Sequence, residues 1–196
     1  MLGPGYTGDA MILGCNGESR FGPSADSGGE HWICRELLAE DALPRQTQTG
    51  LARLFDTWQT IRFCYQRLPK LDEITPELIA HAGLTGYVHE VDVRSADPAR
   101  FRYIRWGEAV TFNNSRSYSG LCVGDLPVNI YQESVKVDYN TAKMLGRPMF
   151  QNIRANMFGT HRSYYRLLLP CSDNGKTTTE LLVAVSMTGE HGKAVR

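Results

Sequence analysis

The sequence predicts an α+β domain in which helices flank an antiparallel sheet. Three patterns point to it. Two-residue alternation of apolar side chains dominates the chain from residue 149 onward. Apolar residues recur at spacings of three and four across 51–68 and again across 128–145, which makes one face of a helix in each. Gly, Pro, Asn and Asp punctuate the intervals, so connections are short and consecutive strands pair as neighbours.

The clearest element is Tyr164 to Leu169. As a strand it points Tyr164, Arg166 and Leu168 to one face and Tyr165, Leu167 and Leu169 to the other. Pro170 lacks the N–H a ladder needs, so pairing is expected to stop about there. Asp173-Asn174-Gly175 forms the turn, and a return strand over Thr178–Met187 lines Leu181, Val183, Val185 and Met187 along one face.

From the start, residues 1–30 hold eight of the 19 glycines together with Pro4 and Pro23, the composition of a poorly ordered extension. The apolar patch Ala10 to Leu13 is the one place in it suited to docking. Trp32–Leu43 reads as a short amphipathic helix ended by Pro44, and Arg45–Gly50 as a linker. The expected units are an extension over 1–49, a folded domain over 50–190, and a tail over 191–196.

Within the domain, the first helix carries Leu51, Leu54, Phe55, Trp58, Ile61 and Tyr65, continues to Leu68, and closes at Pro69. Its stripe either covers the core or forms a seam with a partner, because Phe63 and Cys64 widen the apolar arc. Thr75-Pro76-Glu77 opens a second short helix, with Thr75 as N-cap, and Gly83 ends it. Strands follow over Gly86–Val93 and Phe101–Trp106, then turns and loops over 108–126. A third helix runs from Val128 to Leu145 between Pro127 and Gly146. A third strand spans Met149–Phe158 and turns at Gly159.

Charge narrows the function classes. Basic and acidic side chains number 21 each, which removes the electrostatic footprint expected of a nucleic-acid or anionic-membrane binder. No apolar run reaches the ~18 residues that span a bilayer. Residues 1–10 lack the basic and apolar regions of a signal peptide, and five scattered cysteines suit reduced thiols. A cytoplasmic protein without nucleic-acid or membrane partners is therefore expected.

Four stretches carry a family resemblance: Leu54-Phe55-Asp56-Thr57-Trp58; Phe101-Arg102-Tyr103 running into Gly107; Tyr118-Ser119-Gly120; and Arg166-Leu167-Leu168-Leu169-Pro170 followed by Ser172-Asp173-Asn174-Gly175. Together, over residues 50–188, they resemble a PAS domain, most closely the compact, mainly alphaproteobacterial branch. The resemblance implies a five-stranded antiparallel sheet with helices enclosing a small cavity on one face, used for sensing or protein contact. Arg105 departs from it: strand phasing turns this charge inward, so the cavity is charged or the strand is bulged. Flavin-photosensing relatives carry an Asn-Cys-Arg-Phe run, absent here, and haem-binding relatives need a histidine that residues 127–145 do not supply. No cofactor is expected.

The residues themselves offer little catalytic chemistry. His31-x-x-Cys34 is the closest pair of metal-ligand type and lacks a second pair, so no metal is expected. His89 and His161 stand alone, as structural histidines usually do. Neither a phosphate-binding nor a dinucleotide glycine motif occurs. Arg102, Arg105, Arg154, Arg162 and Arg166 fall on predicted strands, either as surface charges paired with acids such as Glu90 and Asp92 or as an anion site. Candidate ligand-binding residues are Tyr103, Arg105, Trp106, Tyr139, Arg154 and Tyr165. Phe55 and Phe63 are candidate interface residues for a homodimer or a signalling partner. The leading reading is a non-catalytic PAS-like sensory or adaptor module. The alternative is a small cavity enzyme of the cone-shaped type, with helices wrapped on a curved sheet; a buried Asp–His dyad would favour it.

Overall fold

A computed structural model describes residues 12–13, 18–21, 31–38, 49–110, 117–127, 129–157 and 160–188. Eight strands form one antiparallel sheet: β1 (Ile12–Leu13), β2 (Glu18–Phe21), β3 (Trp32–Leu38), β4 (Val88–Asp92), β5 (Arg102–Arg105), β6 (Met149–Met157), β7 (Thr160–Cys171) and β8 (Glu180–Met187). Their spatial order is β1-β2-β3-β6-β7-β8-β4-β5. Strands β3 to β8 make the body, and the short β1 and β2 extend its β3 edge. Three helices complete the fold: α1 (Thr49–Tyr65), α2 (Pro76–His81) and α3 (Asn129–Leu145). The α+β class and the antiparallel pairing match the sequence expectation; the five-strand count does not.

The sixth body strand comes from a segment expected to be helical. Trp32–Leu38 pairs with β6 through seven consecutive positions, from Trp32 opposite Asn156 to Leu38 opposite Phe150. A short apolar run is locally ambiguous between strand and helix. Here the unpaired edge of β6 decides, because each residue added to the ladder satisfies backbone groups that would otherwise lie open. Within the start expected to be poorly ordered, Ile12–Leu13 and Glu18–Phe21 are instead the strands β1 and β2. The rest of that start, Pro44 and the linker through Gln48, the turn at Gly159 and the tail 191–196 lie outside the described residues.

Alternation along the central strands builds two cores, one on each face. Leu168 of β7 and Leu181, Val183 and Val185 of β8 meet Val135, Tyr139 and Ala142 of α3. On the opposite face, Leu167, Leu169, Cys171, Leu182 and Ala184 meet Leu51, Leu54, Phe55 and Trp58 of α1 and Ile79 of α2. Helices thus cover both faces, where the resemblance implied one.

Pairing of β7 passes Pro170, which lies opposite Leu181, and ends at Cys171 opposite Glu180. The β6 ladder already stops at Leu168. Beyond that point β7 is an edge toward β6, so the missing N–H costs no ladder bond. The Pro170 carbonyl instead accepts from Trp58 Nε1 at 2.8 Å, tying α1 to the sheet. In the turn, Asn174 Oδ1 accepts from the backbone N–H groups of Lys176 and Thr177, and Gly175 takes φ 74°.

Helix α1 ends before Pro69. Gln66 adopts φ 52°, which breaks the helix, and its Nε2 donates to the Phe63 carbonyl at 2.7 Å. That early stop corrects the expected face: Tyr65 is exposed, while Leu68 is buried beyond the helix. Phe55, expected at an interface with Phe63, is instead buried against the sheet at 7 % exposure, whereas Phe63 is 77 % exposed. Phe55→Ala is therefore expected to lose about 3–5 kcal/mol of stability, and Phe63→Ala to change it by less than about 0.5 kcal/mol. Urea unfolding of the two variants measures this; equal losses would contradict the placement.

Candidate functional site

Between α3 and the sheet lies a cluster of buried charge. Arg35 of β3 and Arg166 of β7 point to the same face as Ile33 and Leu168, toward α3, and Asp138 faces them from mid-helix. Arg35 Nη1 ion-pairs with Asp138 Oδ1, and Arg166 Nη2 with Asp138 Oδ2. Arg35 also donates to the Ser134 carbonyl at 3.3 Å. Gln151, directly across from Arg166 on β6, accepts from Arg166 Nε at 3.0 Å and from Nη2 at 2.8 Å. One carboxylate therefore joins three elements, and each of its oxygens is held by a different guanidinium.

This field sets the character of the surrounding groups. Burial, and after it the neighbouring Arg166, lowers the Arg35 pKa to about 10. His89 of β4 is pushed down to about 3, first by burial and then by Arg166, so the imidazole is neutral. Its Nδ1 accepts from the Gly107 N–H at 2.9 Å, which leaves Nε2 as the protonated nitrogen. Gly107 is held close: a Cβ there would fall 2.6 Å from the Gly86 carbonyl oxygen and 2.8 Å from the Val88 nitrogen. Burial raises the phenols of Tyr103, Tyr131, Tyr139 and Tyr164, so they remain donors, while Arg166 opposes that rise.

A narrow chamber opens beside the cluster. His89, Tyr131, Tyr139, Arg162, Tyr164 and Arg166 line it over a floor of Val183, Val185 and Met187. Its free volume is about 20 Å³, room for about one water. An aromatic group seals one side. Trp106 stacks on His89 with ring centroids 3.9 Å apart, and Tyr103 meets Trp106 edge-on at 4.9 Å. Tyr103 also faces Tyr139 at 6.4 Å, its hydroxyl buried beside it without a well-formed hydrogen bond.

Of the expected ligand residues, Tyr139 lines this chamber. Tyr103 and Trp106 pack behind its wall against Tyr139 and His89, and Arg105, Arg154 and Tyr165 lie elsewhere. Arg105 is turned out by a bulge: the β4–β5 register shifts between Glu90 and Val91, so Glu90 meets Arg105 while Val91 meets Tyr103. Arg105 then pairs with Glu90 at the surface. Arg154 is exposed on β6, 3.9 Å from Cys34 Sγ. Tyr165 faces the α1 side and stacks on Phe150 at 5.4 Å.

Sequence reading assigned Arg162 and Arg166 to a strand cluster, treated His89 as structural, and missed Arg35, Asp138, Gln151, Tyr131 and Tyr164. A signal existed at Asp138: it falls on the inward stripe of the helix with Tyr131, Val135 and Ala142, where a carboxylate needs a partner.

Asp138 and His89 share the α3 side of the sheet, but Asp138 is engaged by two arginines and His89 by Gly107; no hydrogen bond joins them. Burial raises the Cys171 thiol far above its usual range, away from the thiolate. Among the described residues, no group of three or more His, Cys, Asp and Glu side chains is placed to hold a metal. No described helix is long and apolar enough to cross a membrane. Compared with protein-family models, curated proteins and solved structures, the chain matches none.

Two outcomes follow from the cluster. Asp138→Ala leaves two buried guanidiniums without their shared carboxylate and is expected to cost about 3–5 kcal/mol; urea unfolding reads this directly, and a loss below about 1 kcal/mol would mean the pairs carry little. The second concerns pH. His89 resists protonation down to about 3 in the fold, whereas an unfolded imidazole takes a proton below about 6.5. The unfolded state therefore binds the extra proton between these values. This contribution to stability is complete above about pH 6.5 and is lost as pH falls toward 3, by up to about 1.4 kcal/mol per unit. Between about pH 5 and 6.5, above the carboxylate range, His89→Gln should flatten the decline. Parallel slopes for variant and parent would contradict the assignment.

Proposed function

We propose that this chain is a PAS-like sensory or adaptor module that works by reversible binding and not by catalysis. The observation that carries the reading is the chamber beneath α3, where Arg162, Arg166 and three tyrosines surround a space of about 20 Å³. Guanidinium and phenol groups are donors suited to an anion. The volume limits the occupant to water or a halide unless side chains repack to admit a small planar oxyanion such as formate or nitrate. A bound anion would draw Arg166 from Asp138 and loosen the tie among β3, α3 and β7. A local charge event would thus bias the packing of a helix on the sheet.

The fold supports the family reading in one respect. Strands β4 to β8 lie side by side in the sheet, and α3 crosses the face that holds the chamber. β3 and the second covered face depart from it. The competing enzyme reading is disfavoured by the separate engagement of Asp138 and His89.

Thermal unfolding with chloride, nitrate, formate and phosphate at matched ionic strength tests the proposal. A ligand that binds only the folded state adds stability by mass action, about 2.7 kcal/mol at a hundredfold excess over Kd. Chloride, nitrate or formate should raise the Tm more than phosphate, and Tyr164→Phe should reduce the response. Equal Tm values for all four anions would remove the chamber as a ligand site.

A further inference from the structure

A second concavity lies between the C-terminal turns of α1 and α3 and the β7–β8 turn. It encloses about 1250 Å³, far more than the chamber. Trp58, Leu68 and Pro148 form its buried base. Phe63 of α1 and Met144 and Leu145 of α3 stand on its walls at 77 %, 75 % and 48 % exposure. Three large apolar side chains so open around one hollow have no role in either core.

Charge singles out the same place. The chain as a whole is neutral, yet this lining holds Arg62, Arg67, Lys143 and Lys176 against Asp56 alone. Arg67 is paired with Glu73. Arg62 lies over the Trp58 ring at 5.2 Å, and Lys143 donates to the Ser95 carbonyl at 2.8 Å. Neither contact neutralises a charge, and Arg62, Lys143 and Lys176 form no ion pair among the described residues. Arg62 and Lys143 complement the negative ends of their helices, which explains their positions but leaves the hollow positive. Thr178, in the lining and 8 % exposed, holds a hydroxyl without a hydrogen-bond partner.

We propose that this groove docks an acidic amphipathic segment of a different protein, its apolar stripe on Phe63, Met144 and Leu145 and its carboxylates on Arg62, Lys143 and Lys176. A second copy is the weaker occupant. A two-fold contact would lay the same basic patch against itself, and like charges brought together across an interface are unfavourable. The inference does not depend on the chamber or its ligand, and the two are tested by different readouts.

Fluorescence anisotropy with the full chain and labelled synthetic peptides provides the test. The first peptide is a helix-forming sequence of about 18 residues, five turns, with Leu at i, i+3, i+4 and i+7 and Glu on the polar face. The controls replace Glu by Lys, scramble the acidic sequence so that the stripe is lost, or substitute a single-stranded oligonucleotide. At about 0.15 M salt the acidic striped peptide should bind at least about tenfold tighter than every control. Phe63→Ser with Met144→Ser should weaken it by about tenfold or more, as should Arg62→Glu with Lys176→Glu. Thermal unfolding of these surface variants should match the parent, so that a lost signal reports the groove and not the fold. No preference for the acidic striped peptide, or tighter oligonucleotide binding, overturns the proposal. So does a homodimer in sedimentation velocity that Phe63→Ser dissociates.

Discussion

The fold turns on one carboxylate. Asp138 enters the α3–sheet interface from mid-helix and meets Arg35 and Arg166, both buried. Taking such groups from water costs several kcal/mol per ion, and mutual attraction offsets that cost only with well-aligned geometry. Both conditions shape what surrounds it. Gln151 accepts from Nε and Nη2 of Arg166, the Ser134 carbonyl accepts from Arg35, and the register of β6 against β7 places Gln151 and Arg166 opposite each other. A slip of one residue in that ladder would turn one member of the Gln151–Arg166 pair to the other face. The pairing therefore adds a directional constraint on α3's seat to the non-directional apolar contacts around it.

Burial governs the chemistry of the chamber. With help from the Arg166 charge it keeps His89 neutral, and against that same charge it keeps the tyrosines protonated, so the walls present donors with few basic groups among them. Such a lining suits recognition of negative charge and offers little to proton transfer near neutral pH. Trp106 over His89 and the close approach of Gly107 to the β4 backbone hold this arrangement rigid on one side. The sheet thereby separates two environments: a tight polar chamber under α3, and an apolar layer under α1 that ends in an open basic groove.

Local pattern carried much of the sheet. The alternation of Tyr164 through Leu169 and of Leu181 through Met187 gave the right faces, and the Asn174-Gly175 turn formed where its residues favour it. The stripe expected over 51–68 holds for Leu51, Leu54, Phe55 and Trp58 but not for Tyr65, and that expected over 128–145 holds through Tyr131, Val135 and Ala142. Less of the site was legible. Tyr103, Trp106 and Tyr139 all lie in the α3-side core, as large aromatics tend to wherever the partners lie, but of the three Tyr139 alone lines the chamber. Arg105 was misplaced because a bulge is set by strand pairing and leaves no period-two trace.

Sequence by itself determined the β7–β8 hairpin and the buried stripe of α3 at Tyr131, Val135 and Ala142, since both rest on spacing within a single element. Tertiary structure decided the rest. The run Ile33-Cys34-Arg35-Glu36-Leu37 carries a charge at the inward position of a strand, which breaks the alternation and let a helix be read there. Only Asp138, 103 residues away in the chain, makes that inward arginine tolerable, and only the open edge of β6 gives the segment a ladder to join. Phe55 and Phe63 are likewise indistinguishable as residues of one apolar helix arc. The sheet beneath α1 buries the first, and the early stop at Gln66 leaves the second in solvent. Contacts between distant segments fix these outcomes, and no window of local sequence contains them.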